Sequence, residues 1–204
     1  MIEKLAFSLG RNDEEPNIEL AKELVKTKNK KGIKEIADGL NSKTEQLAND
    51  CIKVLYEIAE ISPDLVSEYA GNFIELLKSR NNRLVWGSMT ALSKIVPLNS
   101  EKIFNNLDII VTAYKKGSQI TIDNSISVFA ELVKADKKYE KKVFPILIEH
   151  LEKCRPKDVG QHSERAFVCI NKSNSQKFRE TLLIRYGSLT DAQKIRVDKL
   201  LKQI

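Results

Sequence analysis

The sequence is short of the residues that mark several protein classes. Its 204 residues include eight Gly and five Pro, too few for a fibrous or low-complexity chain. The three cysteines, Cys51, Cys154 and Cys169, are odd in number, widely spaced and without a CxxC pair. This pattern argues against a disulfide framework and predicts a reducing, cytoplasmic environment.

Long hydrophobic runs and catalytic signatures are missing as well. No apolar run approaches the roughly 20 residues that a membrane-spanning helix needs. The N-terminal segment contains an acid and only a short apolar stretch, so it does not predict a secretory signal. No nucleotide-binding glycine loop, HExxH metal motif or GxSxG nucleophile motif occurs. We therefore expect no membrane insertion, no cofactor and no catalytic residue.

The charge of the chain is positive and unevenly distributed. The formal net charge is +6, with a sequence pI of about 9.1. Residues 1–102 contain 15 Lys and Arg against 16 Asp and Glu, whereas residues 103–204 contain 19 against 12. A basic C-terminal half favours an anionic partner such as nucleic acid, a membrane surface or an acidic protein. A charge of this size is equally typical of an ordinary solvated surface.

Apolar residues recur at helical spacing along almost the whole chain, and their pattern repeats with a period of 37 residues. Such repetition predicts stacked units of two amphipathic helices, A and B, that share one core. One small residue also recurs on each A helix and predicts a close approach between helices. The apolar columns are Leu55, Leu92, Phe129 and Phe167; Ile36, Phe73, Ile110 and Leu147; and Leu40, Leu77, Tyr114 and Leu151, and the small column is Cys51, Ser88, Ser125 and Ser163.

This period, together with Ala91, Leu92 and Ile95, resembles HEAT and related armadillo-like repeats. The resemblance covers roughly residues 14–187. It implies an all-α fold, a right-handed α-α superhelix of about five helix pairs, in a single domain. The polarity of the end helices predicts a monomer. Residues 1–10 and 190–204 are predicted to form capping helices. The Asp and Arg that HEAT repeats often place near the turns are largely missing, and Arg83 is the nearest match.

Two sets of residues are candidates for a chemical site. His150, Cys154, His162 and Cys169 form the best metal-ligand set, but His162 and Cys169 fall on different helix faces, which favours interface residues without a metal.

The chain also resembles alkylpurine DNA glycosylases, a HEAT-like enzyme family, in architecture and basic charge, and the resemblance implies Asp108 as the candidate for their concave-face acid. The nearby aromatic residues, Phe104 and Tyr114, are explained as core or partial-core positions of the repeat. The sequence around Asp108 is poor in the aromatic residues that hold an extruded base, so a solvated surface acid is favoured.

The resemblance implies a non-enzymatic scaffold that binds a protein or peptide on the concave surface formed by the B helices. Residues predicted on that surface are Glu75, Asp108, Thr112 and Glu149. Asp38, Glu75 and Glu149 share one column, whose acids favour a basic partner over a nucleic-acid backbone. The alternative is nucleic-acid binding through a basic ridge near the B-to-A turns, formed by Lys78, Arg80, Arg83, Lys115, Lys116, Lys153, Arg155 and Lys157.

Overall fold

The structure is a computed structural model that describes residues 1–204. It is 77% helical and has no strand, which confirms the all-α prediction. None of its helices combines the length and the apolar character needed to cross a bilayer. The helices are α1 (Glu15–Thr27), α2 (Lys30–Gly39), α3 (Glu45–Ile61), α4 (Ala70–Leu76), α5 (Asn82–Phe104), α6 (Leu107–Lys116), α7 (Gln119–Ala135), α8 (Lys137–Lys153), α9 (Pro156–Phe167), α10 (Ser175–Tyr186) and α11 (Asp191–Leu201).

The odd-numbered helices up to α9 are the predicted A helices, and the even-numbered ones are the predicted B helices. Turn-forming or capping residues mark the passages between repeats. Asn81 caps the N-terminus of α5, Gly117 follows the C-terminus of α6, and Pro156 is the first residue of α9. α5 is interrupted at Asn99, whose φ of −135° and ψ of 22° are not helical. Its last residues therefore begin the third B helix.

Burial confirms the repeat columns almost throughout. Ile36, Phe73, Ile110 and Leu147 are all buried, as are Leu55, Leu92 and Phe129. Exceptions are Phe167 and Tyr114, which are half-buried. The four small residues on the A helices are fully buried, so they serve the close packing that their size permits.

The chain divides into two compact units, Met1–Ser125 and Ile126–Ile204. In the first unit the A helices pack side by side, α1 against α3 and α3 against α5, while α2, α4 and α6 each pack on an A helix. In the second unit α8 packs against α9 and α10, and α11 packs against α9. The prediction of a single domain stays a prediction.

The N-terminal segment differs from the predicted capping helix. Only Ile2–Lys4 is helical, as one 3-10 turn, and Leu5 has extended backbone that directs its side chain into the core. The next amides bond to side chains of other helices, Ala6 N–H to Asn17 Oδ1 at 3.0 Å and Phe7 N–H to Asp50 Oδ2 at 2.7 Å. A segment this short is a marginal helix by itself, and these tertiary bonds replace its helical ones.

The second B helix is short, because Pro63–Leu65 and Ser67–Tyr69 form 3-10 turns and α4 begins only at Ala70. Within the predicted C-terminal residues 190–204, α11 forms with a capping box between Thr190 and Gln193. Its residue Ile195 is exposed.

Candidate functional site

A groove of about 590 Å³ opens between the end of α4, the start of α5 and α6 in the first unit. Its apolar surface comes from Leu77, Val85, Ile109 and Ala113. Two sets of residues that the sequence assigned to separate surfaces meet here. The groove is lined by Asp108 and Thr112 from the predicted concave face and by Lys78, Arg80 and Lys116 from the predicted basic ridge.

The link between α4 and α5 holds Arg80 at one side of this groove. Ser79 Oγ accepts a hydrogen bond from Asn81 N–H at 3.1 Å. The Asn81 side chain in turn accepts from Arg83 N–H at 2.8 Å and so caps α5. Arg80 lies between these anchored residues, is exposed and makes no ion pair. Its guanidinium is therefore available to an incoming group.

The opposite side of the groove is one face of α6. Asp108, Thr112 and Lys116 are four residues apart, so they follow one another along the same face. Thr112 Oγ1 donates to the Asp108 carbonyl at 2.8 Å. Gly117 ends the helix where a Cβ would lie 2.6 Å from the Ala113 carbonyl oxygen, so only glycine permits this tight passage into α7.

The electrostatics of the groove favour an anionic group. Lys78 is neutralised by Glu75, with Nζ 2.9 Å from the carboxylate. Arg80 and Lys116 form no ion pair, and Asp108 is the only acid among the lining residues. The lining contains no aromatic side chain, and Phe104 and Tyr114 lie outside it. The groove thus lacks the stacking surface that an extruded base requires.

Each acid in the column on the B helices has a lysine partner, so the column is not a continuous negative surface. Asp38, Glu75 and Glu149 are exposed as predicted. However, Lys34 pairs with Asp38 at 2.6 Å and Lys153 pairs with Glu149 at 2.6 Å, in the same way that Lys78 pairs with Glu75. Lysines one turn away compensate each acid, which removes the electrostatic reason to exclude an acidic partner.

Several cations of the predicted basic ridge are paired with acidic side chains. Arg83 needs correction, because its guanidinium contacts Glu14 and lies over the Trp86 ring at 5.3 Å rather than facing an external anion. Lys153 pairs with Glu149, and Arg155 pairs with Asp158 at 2.6 Å. The remaining members, Lys115 and Lys157, are exposed and form no ion pair; Lys115 lies outside the groove lining.

Sequence reasoning missed a cluster where α1, α3 and α5 meet, in which the cations Lys53 and Arg83 both contact Glu14. Lys53 is buried and pairs with Glu57 at 2.6 Å and with Glu14 at 3.0 Å. Its ammonium also lies 4.9 Å from the Tyr56 ring. Burial by itself would lower the pKa of Lys53, but the hydrogen bonds to Glu57 and Tyr56 outweigh it and raise the pKa above 10.5. Nothing in the sequence distinguishes Lys53 from the exposed lysines, so its burial could not be predicted.

Three of the four predicted metal-ligand candidates come together in the second unit. His150, Cys154 and His162 each have a ligand atom within 4.8 Å of the other two. Cys169 does not join them; its thiol donates to the Ala166 carbonyl. Cys169 lies in the turn beyond the end of α9 rather than on another face of that helix, and the sequence did not reveal that the other three converge.

Solved structures with the same fold support the repeat architecture. A designed armadillo repeat protein aligns with a TM-score of 0.69 at 14% identity, over 99% of both chains. An engineered protein from the Northeast Structural Genomics Consortium aligns with a TM-score of 0.65 at 15% identity, over 98% of this chain and 95% of its own. A second engineered protein from that consortium gives the same TM-score and identity, with 57% of its length covered.

No protein-family profile and no curated protein sequence matches the chain. At these identities the solved structures establish a similarity of fold alone. The chain therefore has an armadillo-like helical repeat fold, and its function has to be argued from its own residues.

Proposed function

We propose that this protein is a non-enzymatic scaffold that binds a segment of another protein on its B-helix surface, with the groove between α4 and α6 as the contact site. The observation that supports this best is the groove itself: an apolar floor flanked by Arg80 and Lys116, two cations without acidic partners. Helical repeats commonly bind partners along such surfaces.

The groove favours a peptide with one apolar side chain flanked by carboxylates. Burial of that side chain against Leu77, Val85 and Ile109 would supply most of the affinity, at about 25 cal/mol per Å² of apolar surface removed from water. The exposed cations would contribute orientation and association rate more than affinity, because solvent screens them. Thr112 lines the groove. Glu75 and Glu149, which lie outside its lining, are proposed to contact a partner elsewhere on the B-helix surface.

The setting we propose is that of a monomeric, single-domain cytoplasmic protein. The three cysteines are all free, which fits a reducing compartment. Polar residues predominate on the exposed side of α11, in keeping with a terminal helix that caps a repeat array.

The test is selection of random peptides displayed on phage against the full chain. Enriched peptides should combine a Leu, Ile or Phe with nearby Asp or Glu. Affinities of the synthesised peptides are then measured for the wild type and for a double variant, Arg80→Glu with Lys116→Glu. Charge reversal at two contact positions should weaken binding at least about 10-fold, since each unfavourable charge contact costs on the order of 1 kcal/mol.

A matched double variant, Lys115→Glu with Lys157→Glu, changes the net charge equally but lies outside the groove. It should leave the affinity unchanged. Equal losses for both variants would mean that the peptides respond to net charge only. Selection of basic peptides, or of none, would contradict the proposed site.

Nucleic-acid binding is the competing hypothesis, because Arg80, Lys116 and the basic C-terminal half would also attract phosphates. Its signature is a steep salt dependence, with a slope of about −0.9 per neutralised phosphate on duplex DNA. Titration of labelled duplex DNA at increasing salt separates the two functions. Tight binding with such a slope, if it is lost in the Arg80→Glu, Lys116→Glu variant, would show that the groove binds nucleic acid and not a peptide.

A further inference from the structure

The chain contains only two histidines, and they are in direct contact inside the second unit. His150 lies on the last turn of α8 and His162 on α9, with Nε2 of the first 2.7 Å from Nδ1 of the second. Their side chains are buried, with 7% and 1% of the residue surface exposed. The ring centroids are 4.7 Å apart and the rings are tilted by 52°, so the two nitrogens meet edge to edge rather than by stacking.

Cys154 completes this cluster from the segment between the two helices. It follows α8 directly, one helical turn after His150, and is half-buried. Arg185 fixes this segment by donating to the carbonyls of Leu151, Glu152 and Cys154 at 2.8, 2.6 and 2.7 Å. The sulfur and the two ring nitrogens all lie within 4.8 Å of one another.

The repeat does not require these three residues. At the equivalent positions of the earlier repeats, His150 corresponds to Ala113 and Leu76, and Cys154 corresponds to Gly117 and Arg80. His162 corresponds to Asn124 and Gly87. Those repeats fold without any His or Cys at these positions. Packing alone therefore does not explain why two imidazoles and one thiol replace unrelated side chains at three points that meet in space.

We propose that His150, Cys154 and His162 form a binding site for a Zn²⁺-type transition-metal ion, with three protein ligands and a fourth position open to water. Two imidazole nitrogens and a thiolate are ligands that zinc and cobalt accept and that the hard ions Mg²⁺ and Ca²⁺ do not favour. The partial exposure of Cys154 provides both an entry path and room for the water.

Binding of the ion requires the hydrogen bond between the two rings to open. The hydrogen between the nitrogens must move to the other nitrogen of its ring, both lone pairs must turn toward the ion, and the Cys154 thiol must release its proton to solvent. Tetrahedral coordination with metal–nitrogen bonds of about 2.0–2.1 Å places the two nitrogens roughly 3.3 Å apart. The rings would therefore separate by about 0.6 Å from their present 2.7 Å contact. Cys154 lies outside the helix with extended backbone, φ −63° and ψ 161°, so rotation about its Cα–Cβ bond can bring the sulfur inward.

The test is titration of the reduced full chain, freed of any histidine tag, with Co²⁺ followed by Zn²⁺. One Co²⁺ per chain should give the visible bands of a tetrahedral site and a thiolate-to-cobalt charge-transfer band, and Zn²⁺ should abolish both. Cys154→Ser should remove the charge-transfer band. His150→Gln and His162→Gln should each weaken binding by about 100-fold or more, since even loss of an outer-shell partner costs about 10–100-fold.

Cys169→Ser is the matched control, because this second cysteine of the same unit lies outside the cluster and should leave every signal intact. Far-UV circular dichroism checks that each variant folds. If His162→Gln fails to fold, Cys154→Ser decides the matter, since its side chain is half-buried. Absence of stoichiometric Co²⁺ binding by the wild type, or a charge-transfer band that survives Cys154→Ser, would overturn the proposal.

Discussion

Truncation of Leu92 to alanine tests the repeat core directly. Leu92 is fully buried in the middle of α5 and belongs to the column that includes Leu55. Removal of a buried leucine side chain costs the transfer energy of the lost atoms and leaves a cavity, together about 2–5 kcal/mol. For a chain of this size that loss lowers Tm by roughly 5–20 °C.

Guanidinium titration followed by tryptophan fluorescence is the suitable assay, because Trp86 is the only tryptophan and also lies on α5. Leu92→Ala should lower the midpoint without changing the slope of the transition. Leu98→Ala is the control within the same helix, since Leu98 is 54% exposed and its truncation should change stability by less than about 0.5 kcal/mol. Equal losses for the two variants would refute the assignment of the buried face.

Two further predictions follow from close contacts. Gly87→Ala should destabilise the fold, because a Cβ there would lie 2.7 Å from Ile52 Cγ1, whereas Gly187→Ala meets no atom within 4 Å and should be tolerated in thermal unfolding. The hydrogen bonds from Arg196 lower the pKa of Glu164 below 4.5. The pair therefore stabilises the fold at pH values above the pKa that Glu164 has in the unfolded chain. This contribution is lost as the pH falls through the lower pKa that Glu164 has in the folded protein. NMR titration should show the depressed pKa, and Arg196→Gln should restore an ordinary one.

The helix pairs could be predicted from the sequence because their signals are local and repeated. Leu92 and Ile110 recur in columns that a 37-residue offset reveals, and Pro156 and Gly117 mark turns by their backbone chemistry. The N-terminal segment was predicted wrongly as a helix for the opposite reason. Its amides bond to Asn17 and Asp50, and no local pattern announces such tertiary bonds.

The groove and the histidine pair could not be predicted in full because both depend on which residues of different helices meet. Arg80 and Asp108 are 28 positions apart and were assigned to different surfaces, yet they line one groove. Likewise, helical periodicity does not reveal that Cys154, beyond the end of α8, comes close to His162. Sequence periodicity determines faces, and the approach of those faces is determined by loops and packing.

The shortness of α4 has a consequence for how a ligand can be found. This helix has only seven residues and is preceded by two 3-10 turns, whereas isolated helices shorter than about 12–15 residues are marginal. Its amide hydrogens should therefore exchange with solvent through local opening faster than those of α5. A molecule that docks between α4 and α6 would hold the short helix closed, so slowed deuterium uptake there would report occupancy without any mutation.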